Sequence, residues 1–183
     1  MRRIMTAQEQ EARRQRNGRV LAVLMLLILL GSTAGYAFLY YDENNQGTTG
    51  AEENGVQQTA AGWSFKAGEQ TITVQHSPSE TANSTVLTTK TASDYAGTTL
   101  YIDAENQAIY AEIALAFNTY ASRVQPACYG DCERNVPEVN CSQALIVWTD
   151  SSEDTVSEQE QCVFIKGDMR TVDAFIYRAF GIQ

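Results

Sequence analysis

Residues 20–41, VLAVLMLLILLGSTAGYAFLYY, run for 22 residues without a charge. As a helix this stretch rises ~33 Å, enough to cross the ~30 Å hydrocarbon core of a bilayer. It reads as a transmembrane helix, and it separates two segments of opposite charge. Residues 1–19 hold six Arg and two Glu, a net of +4, whereas residues 42–183 hold seven basic and twenty acidic side chains, a net of −13. Basic flanks stay on the cytoplasmic side. The expectation is a single-pass protein of the cell membrane with a cytoplasmic N-terminus and an extracytoplasmic C-terminal domain. A cleaved signal peptide is the competing reading, since Ser32, Ala34, Gly35 and Ala37 offer small residues to a peptidase. Its apolar region is ordinarily only roughly 7–15 residues long, however. Either reading exports the domain.

The lipid bilayer is thus the first expected partner. Gly31 and Gly35 form a GxxxG, which allows two membrane helices to approach closely and makes a homodimer through this face an expectation. The acidic domain argues against nucleic acid, because phosphate binding needs clustered Lys and Arg. Lys occurs three times against ten Arg, an acidic, Lys-poor balance that suits hydration in high salt.

The chain divides into a basic leader (1–19), the membrane helix (20–41), a flexible tether (42–62) and an α/β domain (63–183). The tether is rich in Gly, Asn, Gln, Thr and Glu and buries too little to offset its chain entropy. Two alternating runs, 63–66 and 70–76, flank Ala67-Gly68-Glu69 and predict a β-hairpin with a three-residue loop. Residues 79–97 read as irregular or weakly helical. A strand over 98–103 leads into apolar residues at 109, 113, 116, 117, 120 and 124, which is helical spacing up to Pro126. The almost wholly apolar run 144–149 is a strand covered on both faces, and 162–166 is another. The twelve-residue link between them is barely long enough for a parallel crossover and has room for a short strand around 155–158. Asp168 caps a final helix with apolar residues at 172, 175, 176, 179 and 180, and Gly181 lies past its end. The fold class is α/β or α+β, a β-hairpin followed by β-α-β-β-α.

Cys128, Cys132, Cys141 and Cys162 all fall in the domain, an even number that suggests two disulfides in an oxidising compartment. If strands 144–149 and 162–166 run parallel, Cys141 and Cys162 both sit at strand starts and can meet, leaving Cys128 to Cys132. If the strands form a plain antiparallel hairpin, that pairing fails. A redox couple is disfavoured because Cys128 and Cys132 follow a helix and are not a CxxC at a strand-to-helix junction. A four-cysteine zinc site is disfavoured by the C-x3-C-x8-C-x20-C spacing and by a last cysteine that begins a strand.

Ligands of open α/β sheets bind beyond the carboxyl ends of the strands. Asp103, Asp150 and Asp168 fall there, with Glu105 and Ser151 nearby, and converging carboxylates are what Mg²⁺ or Ca²⁺ needs. A metal-dependent hydrolase or phosphotransfer-type site is therefore the enzymatic alternative. Against it, Asp168 serves as a helix cap, Asp150 begins a turn, and Asp103 precedes a helix N-terminus. His76 is the only histidine, and its neighbour Ser77 diverges from it in an extended chain, so no catalytic triad is expected. Asn83 and Asn140 begin N-glycosylation sequons. No motif calls for a cofactor, and no catalytic residue is assigned.

The run from ACYGDCE through NCSQALIVW to QCVFIKGDMRTVDAFIYRAFGI resembles a pattern in single-pass membrane proteins of small-genome archaea that carry a C-terminal four-cysteine α/β domain. The resemblance covers about 60 residues. It implies an exported α/β domain without a particular activity, and it carries no functional residues onto this chain. The functional expectation is an envelope-anchored module that binds a protein or an envelope component.

Overall fold

The computed structural model describes residues 55–182, Glu52 and Glu53, and two residues of the N-terminal region, Met25 and Ile28, both helical. The chain divides into units at 1–47 and 48–183. Among the described residues no helix is long and apolar enough to cross a membrane. The expected span at 20–41, with Gly31 and Gly35, lies outside the described residues except for Met25 and Ile28, as does the basic leader.

The domain begins with four antiparallel strands in chain order, β1 (Glu52–Glu53), β2 (Val56–Thr59), β3 (Gly62–Ala67) and β4 (Gln70–Val74). Order therefore starts earlier than Trp63, inside the segment expected to be a tether. Val56 accounts for the difference, since it is fully buried while its strand neighbours Gln57 and Gln58 are exposed. One buried residue among glutamines leaves no periodicity to read. The β3–β4 loop has two residues, not three, because Ala67 pairs with Gln70. Gly68 takes a φ of +65° and Glu69 does not share it, the pattern of a type II′ turn.

Next come a short helix α1 (Pro78–Thr81), β5 (Thr85–Leu87), a 3₁₀ turn (Ala92–Tyr95), β6 (Thr99–Asp103), α2 (Gln107–Phe117) and β7 (Arg123–Pro126). Ser77 and Glu80 close a capping box on α1, and Asn106 caps α2. The helix expected to run to 124 stops at Phe117, with Asn118 as its C-cap. Val124 belongs to β7, where it pairs with Leu100 of β6. Helical spacing continued by coincidence across a turn. Pro126 is accommodated because β7 is an edge strand and no further partner needs its missing N–H.

A loop carrying β8 (Cys128–Tyr129) and β9 (Glu138–Val139) leads to β10 (Leu145–Thr149), β11 (Thr155–Gln159), β12 (Cys162–Lys166) and α3 (Met169–Ala179). Strand β11 occupies the polar link and runs antiparallel to β12, which inserts between β11 and β10. As a result β10 and β12 are parallel, Leu145 opposite Cys162. The six-stranded sheet has the order β5-β11-β12-β10-β6-β7. The condition for the disulfides is met: Cys141 bonds Cys162 and Cys128 bonds Cys132, with Cα–Cα distances of 4.9 and 6.3 Å. Asp168 caps α3, and Gly181 takes a φ of +75° beyond its end.

Alternation along the strands separates two cores. Leu100, Ile102, Ile146, Val163 and Ile165 face α2, α3 and the inner face of the small sheet. Tyr101, Leu145, Val147, Cys162 and Phe164 point the other way, against Ala127, Val139 and Cys141 of the stapled loop. The first core is knit by aromatic rings. Phe117 meets Tyr95 at 5.1 Å, Phe175 at 5.8 Å and Phe180 at 5.5 Å, and Phe65 meets Tyr177 and Phe180. Phe117 is 0% exposed, whereas Leu115 on the same helix is 65% exposed. Truncating Phe117 to Ala is expected to cost about 3–5 kcal/mol in chemical denaturation. Leu115→Ala is expected to change stability by less than about 0.5 kcal/mol.

Candidate functional site

The chain leaves β6 through α2 toward β7 and leaves β10 toward β11, in opposite directions across the sheet. The connections diverge at this switch point, and the loop that follows β7 lies against the carboxyl end of β6 and walls a crevice there. A cleft of about 680 Å³ opens there. Asp103 ends β6 beside Val147 of β10, both on the face covered by the stapled loop, and Thr149 and Asp150 form the β10 side. The loop supplies the opposite wall through Cys128, Cys132, Glu133 and Arg134.

Asp103 organises that wall. Its Oδ2 accepts the Tyr129 amide at 2.8 Å, and its Oδ1 accepts from Arg134 Nη2. The same guanidinium nitrogen donates to the Ala127 carbonyl at 3.3 Å. The Cys128–Cys132 bridge closes the loop beside these contacts, and the Tyr129 ring stands edge-on to Phe164 at 5.3 Å. Across the cleft, Trp148 is half-buried and its Nε1 donates to the Gly167 carbonyl at 2.9 Å. Gly167 has a φ of +137°, and a Cβ there would fall 2.2 Å from Thr171 Oγ1, so only glycine permits the approach. Among the described residues Arg134 is the sole basic one lining the cleft and is engaged by Asp103, leaving Glu105, Glu133 and Asp150 to give the opening a negative charge.

The three carboxylates expected at the strand ends do not converge. Asp103 and Asp150 share the cleft, but Asp103 is committed to Arg134 and the Tyr129 amide. Asp168 does not line it. Its Oδ1 accepts the Arg170 amide at 2.8 Å and its Oδ2 pairs with the Arg170 guanidinium, whose hydrogen bond is the main reason that this carboxyl lies below its ordinary value. Among the described residues no three or more His, Cys, Asp or Glu side chains are grouped to hold a metal ion. All four cysteines are in disulfides. Both sequon asparagines are exposed: Asn83 lies in the turn between α1 and β5, and Asn140 accepts from the amide and hydroxyl of Ser142 just before the Cys141 bridge.

His76 and Ser77 diverge as expected. The Ser77 hydroxyl donates to Glu80 Oε2 at 2.8 Å within the α1 cap, while His76 turns to Asp173 of α3. Sequence reasoning missed Asp173, which is 0% exposed. Its available signal was local: Asp173 lies four residues before Tyr177 on one helix face, beside the apolar stripe of 172 and 176. Its partner is 97 residues away.

Compared with protein-family models, with curated proteins and with solved structures, the chain has no significant match to any. Geometry alone defines this site. Because Asp103 holds both the loop backbone and Arg134, Asp103→Asn is expected to lower stability by about 1–3 kcal/mol. Hydrogen exchange should accelerate over 127–140 while β12 amides stay protected, which peptide-level exchange measurements can check.

Proposed function

We propose that this chain is a membrane-anchored binding module of the cell envelope, whose switch-point cleft receives a partner protein or an envelope component. The observation that carries the reading is the cleft itself. A crevice at the carboxyl ends of β6 and β10 is where open α/β sheets take ligands, and its loop wall is held by a disulfide and by the Asp103–Arg134 pair. A rigid wall lowers the ordering cost of binding. Two disulfides in one domain support an oxidising compartment. The charge-free run at 20–41 with its basic leader supplies the anchor and the N-in orientation, and Gly31 and Gly35 form the face along which two copies pair.

Photo-crosslinking in the full chain, in its own membranes, tests this. A crosslinking side chain is placed at Thr149 or Glu133 in the cleft, or at exposed Thr73 on the small sheet. The expected result is one discrete adduct from both cleft positions and none from Thr73. No adduct from either cleft position, or equal adducts from all three, overturns the reading.

A further inference from the structure

The first core contains a polar cluster that the cleft does not use. His76 lies in the connection between β4 and α1, and three contacts tie it to α3. Asp173 Oδ2 accepts the His76 amide at 2.9 Å and its Nδ1–H at 2.7 Å, and the Tyr177 hydroxyl donates to the His76 carbonyl at 2.7 Å. The carboxylate can only accept, which sets the Nδ1–H tautomer. Glu112 of α2 lies within hydrogen-bonding reach of Asp173, and its Oε2 accepts from Gln75 Nε2 at 3.5 Å. The remaining oxygens, Glu112 Oε1 and Asp173 Oδ1, are both buried and both without a partner. A buried carboxyl oxygen without a donor is satisfied when its own carboxyl, or the one it faces, carries a proton.

We propose that Glu112, Asp173 and His76 form a pH-sensitive latch, in which a single proton held between the two carboxyls fastens the β4–α1 connection to α2 and α3. When Glu112 gives up that proton to bulk water, its carboxylate faces that of the fully buried Asp173 and the fastening weakens. The surroundings offer little compensation. His76 faces Asp173 through its Nδ1. Glu80 of α1 and Glu53 of β1 add negative charge toward Tyr177, and Arg170 at the start of α3 is engaged by Asp168.

The direction of the pH effect follows. Burial first, and then the charge of Asp173, push the Glu112 carboxyl up from its ordinary 4.5 to about 7, and burial raises Asp173 as well. A carboxyl whose folded-state value is raised contributes stability that is complete below its unfolded value. That stability is lost as pH climbs through the folded value. The latch is closed in mild acid and loosens from about pH 4.5 to about pH 7.

Hydrogen exchange on the full chain tests it, following 70–77, which includes the His76 amide, with 144–149 as reference. Between about pH 5.5 and about pH 8 the protection of 70–77, corrected for intrinsic exchange, is expected to fall by about tenfold or more in the wild type. Glu112→Gln keeps a donor that cannot ionise, and its protection should stay flat. A flat wild type, or the same fall in Glu112→Gln, overturns the proposal. A second measurement stands if the variant does not fold. Infrared spectra of the wild type with ¹³C-labelled Glu carboxyls should show a protonated Glu band at about pH 6 that is gone by about pH 8, and its absence at the lower pH is equally fatal.

Discussion

The parallel pairing of β10 with β12 is the constraint on which the other features depend. It arises because β11 folds back and lets β12 enter between itself and β10. With both strands running the same way, their starts lie together and Cys141 reaches Cys162. Their alternating side chains divide the interior into a helix-facing core and a loop-facing core. The strand ends on the opposite edge are left for α3 on one side and the cleft on the other. An antiparallel β10–β12 hairpin would separate Cys141 from Cys162.

What the sequence reveals of this fold depends on how locally each element is specified. The strands at 98–103, 144–149 and 162–166 carry dense apolar runs, and α3 carries a capping aspartate, an apolar stripe and a terminal glycine, so each stands out alone. Strand β7 does not, because Tyr120 and Val124 extend the spacing of α2 and the break at Asn118 has no Gly or Pro to mark it. Strand β2 is hidden for another reason. Its single buried residue, Val56, sits in a polar stretch whose order comes from pairing with β3. The disulfide pairing could be read only conditionally, since it depended on strand direction, which is a property of the whole sheet.

The candidate sites show the same limit more sharply. Asp103 and Asp150 lie at strand ends legible in the sequence, but the partner that commits Asp103, Arg134, lies 31 residues on in a loop without periodicity. Asp173 and His76 are 97 residues apart, and each taken alone looks like an ordinary helix residue and a strand-end polar residue. Carboxylates are visible in a sequence; what neutralises them is set by tertiary structure. Here Asp103 meets Arg134 and the Tyr129 amide, and His76 meets Asp173.

The sheet edges carry a further implication. One border of the six-stranded sheet is β5, only three residues long, and the other is β7, which ends in Pro126. Neither offers the long, unbroken row of amide and carbonyl groups on which a neighbouring strand can template itself. Strand-by-strand growth of the six-stranded sheet from one copy into the next is thus disfavoured at both of its borders.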